Sequence, residues 1–200
     1  MTLNNQVMKQ NRECQQLDIA KIIKIKIDDN NRILYVNDYF TNITGYKVSD
    51  IILKELDTIL DASMPKMTVN KLEEIENQFE HSYFIFKGRT KDGNCYWSFA
   101  KITQRFNAQN EFEGYLIEGK TAPAVAVQKI NKLYTVLKEI EDNAGIDAAV
   151  KYFNGFIEEK GLNFNEFILA LAQVNEKKAE KYFEIDEDAL APKKKKRGWF

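Results

Sequence analysis

The stretch TKDGNCYW, residues 90–97, is the feature of this 200-residue chain that most restricts its fold. Asp92 and Gly93 favour a tight β-hairpin turn, because both central residues of a type I′ turn need positive φ. The flanking segments SYFIFKGR and CYWSFAKITQRF are rich in aromatic and β-branched residues, as strands are. The sequence therefore predicts a hairpin over 82–105. Tyr96 and Trp97 would lie on opposite faces of one strand, with at least one of them buried.

Three further predicted strands flank this hairpin in the sequence. Isoleucines alternate with lysines in AKIIKIKID (20–28), which is typical of a half-buried strand. Turn residues lead from it into RILYVN (32–37), and FEGYLIEGK (112–120) follows another turn. The segment between the two hairpins, 38–79, shows no long alternation and predicts short helices. We therefore predict an α+β fold with a five-stranded antiparallel sheet and short helices on one face.

A longer helix is predicted near the end of that middle segment. Ser63 is a suitable N-terminal cap, and Pro65 is tolerated in a first helical turn. Met67, Leu72 and Ile75 would then form the apolar face of the helix.

The chain after Pro123 predicts a C-terminal helical extension. Its first helix carries an apolar stripe at 4-3-4-3 spacing, an a/d-like pattern that fits either packing on the sheet or a coiled-coil homodimer. The candidate interface residues of this stripe are Ala126, Ile130, Leu133, Leu137 and Ile140. Two more helical stretches follow, joined at Gly161, and Asn163 is expected to cap the second.

These patterns divide the chain into five predicted parts, which we give by residue number. They are an N-terminal arm or cap (1–18), the sheet domain (19–121), a connector or signalling helix (122–143), a helical hairpin (144–188) and a disordered basic tail (189–200).

Charge and composition exclude several classes of function. A formal net charge of −1 argues against general nucleic-acid binding. The two cysteines form no CxxC pair, so neither a disulfide nor a structural zinc site is expected. One histidine, His81, and the absence of a phosphate loop argue against an enzyme. The chain also has no secretory signal and no membrane span, so we expect a cytoplasmic protein.

Several separated motifs resemble one family. VNDYFTNITGY, MPK, KGRTKDGNCYW and GYLIEGK occur in the order and spacing of a PAS sensor domain, and are most similar to the aerotaxis-transducer type. The matching residues are Asn37, Phe40, Thr44, Gly45, Tyr46, Met64, Pro65, Lys87, Arg89, Lys91, Gly93, Tyr96, Trp97, Gly114 and Tyr115. The resemblance covers roughly residues 20–142 and implies a sheet with helices folded over one face, enclosing a pocket.

The resemblance also implies where a cofactor would bind. In aerotaxis transducers the pocket holds flavin adenine dinucleotide (FAD), whose redox state is relayed to the chemotaxis kinase. Carried onto this sequence, the candidate pocket residues are Asn37, Phe40, Leu60, Met64, Leu72, Phe86 and Trp97.

This sequence departs from the family at positions that matter for flavin. Leu60-Asp61 replaces Arg-His and supplies no cation for a pyrophosphate. Glu73 and Ser82 replace tryptophans that could stack on the flavin ring, and Gly88 replaces an asparagine. We therefore predict no bound cofactor, with FAD as the family alternative. A haem is not expected, because the lone histidine precedes a strand.

The resemblance implies a bacterial signal-transduction protein in energy taxis, aerotaxis or a related sensory pathway. It would act through a protein partner such as a chemoreceptor, with a homodimer as a further possibility. A cofactor-free dimerisation or scaffold module is one alternative, and a haem or small-metabolite sensor is another.

Overall fold

The computed structural model of the protein describes residues 14–69 and 81–173. Its strands form one antiparallel sheet in the order β2-β1-β5-β4-β3. The five strands are β1 (Ile23–Ile27), β2 (Ile33–Val36), β3 (His81–Arg89), β4 (Cys95–Phe106) and β5 (Phe112–Thr121). The predicted α+β class and the five-stranded antiparallel sheet are confirmed.

Helices occupy the two places where the sequence predicts them. Between β2 and β3 lie α1 (Asp38–Thr44), α2 (Val48–Ile51) and a 3-10 helix (Leu56–Ile59), and after β5 lie α3 (Ala124–Ala144), α4 (Ile146–Glu158) and α5 (Phe164–Ala172). Asn163 caps α5 as predicted, because its side chain accepts the N–H of Glu166 while Glu166 accepts the N–H of Asn163. The part of the predicted helical hairpin beyond residue 173 lies outside the described residues.

The central hairpin forms around a different turn from the one predicted. β3 and β4 pair from His81↔Thr103 to Arg89↔Cys95, so the hairpin itself is confirmed. Within the described loop 90–94, however, only Gly93 has a positive φ, of 83°. The turn is therefore not type I′, since Asp92 does not adopt positive φ. The Asp92 carboxylate instead accepts the Thr90 hydroxyl and the Asn94 N–H, and this side chain holds the loop together.

The sheet is buried on both faces around the hairpin. Cross-strand register places Gly88 opposite Tyr96, and Lys87 opposite Trp97. Tyr96 faces the short helices and is only 4% exposed, which confirms that at least one residue of the Tyr96–Trp97 pair is buried. Trp97 lies on the other face, where its ring stacks on Tyr134 of α3 at 6.4 Å between centroids.

Helix α3 packs inside its own chain. The residues it buries are Ala126, Ile130, Tyr134, Leu137 and Glu141, whereas Leu133 and Ile140 of the predicted stripe are only partly buried. The difference arises because a straight helix keeps 3.6 residues per turn, and a strict heptad stripe drifts away from the face it packs against. Of the two alternatives for the stripe, the structure shows packing on the chain's own core.

The outer edge of β3 is covered by two side chains and one backbone N–H from elsewhere in the chain. The Tyr83 N–H donates to Asn165 Oδ1 of α5 (2.8 Å), and the Ile85 carbonyl accepts the Tyr134 hydroxyl (2.8 Å). Further along the edge, the Lys87 carbonyl accepts the Asp61 N–H at 2.8 Å. An edge strand with unpaired backbone groups promotes aggregation, so these contacts close the sheet on this side.

The N-terminal arm is tied to the sheet by a disulfide between Cys14 and Cys95. The expectation that the cysteines stay unpaired was therefore wrong. Gln15 forms a parallel bridge with Tyr96, and its N–H donates to the Cys95 carbonyl (2.8 Å), which brings Cys14 beside its partner. Because the two cysteines are 81 residues apart in the sequence, no local pattern indicates that they lie close together.

Candidate functional site

A small cavity lies between the sheet and the short helices, where the sequence predicts a pocket. Its volume is about 30 Å³, and it is lined by side chains such as Ile25, Phe86 and Tyr96. We call it the core cavity. Ligand pockets usually measure roughly 300–1,000 Å³, so this space holds a water molecule or two but not an isoalloxazine ring.

The Tyr96 ring lines the core cavity beside Gly88. It passes directly over Gly88, and a Cβ atom at position 88 would come within 2.1 Å of the ring. Burial raises the pKa of the Tyr96 phenol, so it stays neutral at physiological pH. Gly88 therefore leaves room for this ring, and an asparagine side chain at position 88 would displace it.

The structure brings only some of the predicted pocket residues together. Leu60 and Phe86 line the core cavity. Phe40 is fully buried in the core but does not line this cavity, and Met64 accepts the Lys87 N–H with its sulfur. Asn37 caps α1 and also bonds Lys24 and Ile22 on the neighbouring strand.

The remaining predicted pocket residues lie elsewhere. Trp97 points to the opposite face of the sheet and packs on α3, not on the core cavity. Leu72, and with it Ile75 and Glu73, lies outside the described residues. His81 is the first residue of β3.

A second, larger cavity of about 410 Å³ lies beside the first, and we call it the lateral cavity. Leu56 and Leu60 line both cavities, and Met64 and Arg89 add to the lateral one. Its far side is formed by Lys138 of α3 and Ile146 of α4. The lateral cavity is therefore shared between the sheet domain and the C-terminal helices.

The charges around the lateral cavity are partly neutralised by neighbours. The sequence places an isolated acid at Asp61, but the structure sets the Lys87 ammonium 3.4 Å from its carboxylate. Burial pushes the pKa of the Asp61 carboxyl up, yet hydrogen bonds from Ser63 and the Lys87 charge together lower it below its ordinary value. Lys138 pairs with Asp142 on the same helix.

Glu141 of α3 caps the helical turn at 67–69. Its carboxylate, only 9% exposed, accepts the N–H groups of Lys66 (2.9 Å) and Met67 (2.7 Å). Ser63, the predicted cap, instead bonds Asp61 and Lys87. α3 thus holds the first turn of this helix. We call the two hydrogen bonds from Lys66 and Met67 to Glu141 the Glu141 clasp.

Breaking the Glu141 clasp should destabilise the protein measurably. Glu141→Ala leaves the buried N–H of Met67 and the partly buried N–H of Lys66 without an acceptor, which we expect to cost about 1.5–3 kcal/mol of unfolding free energy. Glu139→Ala, an exposed change on the same helix, is the control and should cost less than about 0.5 kcal/mol. Urea denaturation followed by circular dichroism measures both, and equal midpoints for the two variants would contradict the clasp.

Three residues of this region were not predicted as functional. Arg89 matches a family motif, but the sequence assigns it no role. Tyr134 and Glu141 lie on α3, whose sequence pattern shows most clearly the aliphatic stripe. Glu141 follows Leu137 by four residues, so an acid on the apolar face was the available signal.

The described part of the chain contains neither a metal-ligand cluster nor a membrane-spanning helix. No cluster of three His, Cys, Asp or Glu side chains there could hold a metal ion. Among the same residues, no helix is both long and apolar enough to cross a membrane.

A five-stranded antiparallel sheet with short helices over one face is the architecture of a class of small sensor domains. Residues 21–119 match the family described as PAS domain. This part of the chain is therefore a PAS domain. No protein of the curated set matches the chain.

Several solved structures are similar in fold. The PAS domain of a protein from Colwellia psychrerythraea is 15% identical, with a TM-score of 0.46 over 50% of this chain and 85% of that one. A light-oxygen-voltage domain studied with a flavin analogue is 18% identical, with a TM-score of 0.46 over 59% and 85%. The light-state domain of Aureochrome1 is 13% identical, with a TM-score of 0.44 over 70% and 100%.

Proposed function

We propose that this chain is a bacterial PAS signal-transduction protein that catalyses no reaction and acts through contacts with another protein. The observation that carries the proposal is the attachment of α3 to the PAS domain at two points. Tyr134 bonds the edge of β3, and Glu141 caps the helical turn at 67–69. A change in the sheet or in that helix would alter contacts of α3, and so reach a partner bound to the C-terminal helices.

The pathway we propose is energy taxis or aerotaxis, with a chemoreceptor or a related signalling protein as the partner. The support is the motif similarity to aerotaxis transducers, from Asn37 through Gly45 to Trp97. A homodimer through the α3 stripe is not part of the proposal, because Ala126, Ile130 and Leu137 are buried within one chain.

A genetic experiment tests this function. Deleting the gene in the native bacterium should abolish the accumulation of cells at the air interface of a capillary. Complementation with the wild-type chain should restore it, and Glu141→Gln, which weakens the clasp, should restore it only in part. Normal accumulation in the deletion strain would refute the role in aerotaxis.

The proposal places the protein in the cytoplasm, and the Cys14–Cys95 disulfide is the observation that opposes this. Disulfides persist mainly in oxidising compartments, whereas cytoplasmic thiols stay reduced. Alkylation of cells quenched in acid distinguishes the two. Blocked thiols at both positions would support the cytoplasm, and a protected disulfide would place the chain in an oxidising compartment.

We expect the purified protein to carry no flavin in the core cavity. Tyr96 and Gly88 leave about 30 Å³ there, so protein expressed without added cofactor should show no stoichiometric absorbance near 450 nm and no haem Soret band. One flavin or haem per chain would contradict this expectation. A colourless preparation fits the cofactor-free scaffold, the second candidate function, which the small core cavity favours.

A small-metabolite sensor is the third candidate function. The lateral cavity favours it, because its volume of about 410 Å³ lies within the usual range of ligand pockets. A ligand there would touch both the PAS domain and the C-terminal helices.

A further inference from the structure

The lateral cavity is lined by a cationic side chain, that of Arg89, whose hydrogen-bond donors are only partly used. Arg89 lies at the end of β3, and its side chain forms one hydrogen bond within the described residues, from Nη2 to the Thr58 carbonyl (2.6 Å). Its Nε atom is buried and has no acceptor there. A guanidinium has five N–H donors and pairs best with a planar carboxylate, which takes two of them at once. The protein therefore holds a carboxylate-binding group at this cavity.

The other charges decide what kind of anion can enter. Asp61 is satisfied by Lys87 and Ser63, so it does not compete for Arg89. Glu55 and Asp57 are exposed, line the same cavity and form no ion pair with a described residue. These two carboxylates would attract a positive group, while Lys66 also lines the cavity and adds a further cation to its wall.

Apolar side chains also line the lateral cavity. Leu56, Leu60 and Met64 line the cavity from the PAS domain, and Ile146 lines it from α4. Burial of apolar ligand atoms against such side chains favours binding. A ligand with an apolar body thus gains from the same wall that holds Arg89.

We propose that the lateral cavity binds a small apolar amino acid or a similar aminocarboxylate. Arg89 receives its carboxylate, Glu55 and Asp57 face its ammonium group, and Leu56, Leu60 and Met64 contact its side chain. Because Lys138 and Ile146 form the opposite wall, the bound molecule links the PAS domain to α3 and α4. This inference rests on the proposed sensory function and names its stimulus.

Binding to the purified full-length chain tests the inference. The proteinogenic amino acids are screened by thermal shift, and binders are measured by titration calorimetry. At least one apolar amino acid should raise the melting temperature. For leucine, the matched probes are 4-methylpentanoate, which lacks the ammonium, and isopentylamine, which lacks the carboxylate, and each should bind about tenfold more weakly or worse.

Two variants and one control locate the site. Arg89→Met should weaken binding about tenfold or more, since it removes the carboxylate partner. Ile146→Trp, which fills the cavity from α4 without touching β3, should block binding even if Arg89→Met fails to fold. Arg105→Met, which removes a different strand arginine paired with Glu113, should bind like the wild type.

The outcomes separate this inference from the proposed function. No shift with any amino acid, or binding unchanged in both cavity variants, overturns the inference. Equal affinity for 4-methylpentanoate and leucine would overturn the claim that the site recognises an ammonium group together with the carboxylate. Either result leaves the aerotaxis experiment to decide the signalling role, since the Glu141 clasp does not depend on a ligand.

Discussion

Reduction of the Cys14–Cys95 disulfide should lower the free energy of unfolding by up to about 4 kcal/mol. The bond closes a loop between residues 81 apart, and opening it restores the conformational freedom of that loop in the unfolded chain. The expected observation is a lower midpoint of urea denaturation in the presence of a reductant.

A cysteine variant makes this prediction specific. The double change Cys14→Ser and Cys95→Ser should reproduce the midpoint of the reduced wild type, and it should no longer respond to reductant. Identical midpoints for oxidised and reduced wild type would show that the disulfide contributes nothing to stability. The hydrogen bond from Gln15 Nε2 to the Ile43 carbonyl holds the same arm, so it limits the loss in the folded state.

Tyr134→Ala should be the most destabilising single change in α3, at about 3–5 kcal/mol. The phenol is 5% exposed, stacks on Trp97 and donates its hydroxyl to the Ile85 carbonyl, so truncation removes packing and a buried hydrogen bond together. Denaturant unfolding followed by tryptophan fluorescence measures the loss.

Tyr134→Phe is the matched control, because it keeps the ring and removes only the hydroxyl. We expect it to cost about 0.5–1.5 kcal/mol. If the two variants were equally stable, the ring would not be packed against the sheet, and the attachment of α3 to β3 would be wrong.

Local signals were sufficient to predict the framework of this fold. The alternation in β1 depends only on neighbouring residues, as does the capping of α5 by Asn163. The hairpin at 90–94 was predicted correctly as a hairpin, yet its turn type was not. Side-chain bonds of Asp92 override the preference that the Asp-Gly pair alone would give.

The candidate site was harder to predict, because it depends on contacts between distant segments. Nothing near Gly88 in the sequence shows that the Tyr96 ring passes over it, since this follows from cross-strand pairing. The disulfide joins residues 81 apart, and the bonds of the Glu141 clasp span 75 and 74. No local sequence pattern marks residues that lie this far apart in the chain and meet only in the folded state.

The clasp also sets an order of events during synthesis. The N–H groups of Lys66 and Met67 are made 75 and 74 residues before the carboxylate that accepts them. At a synthesis rate of about 5–20 residues per second, roughly 4–15 s pass between the synthesis of these N–H groups and that of Glu141. Likewise, the N–H of Tyr83 is made 82 residues before Asn165, whose side chain accepts it. A nascent chain that has reached residue 121 contains the five strands described here, but the partners of this helix start and this strand edge are made only with α3 and α5.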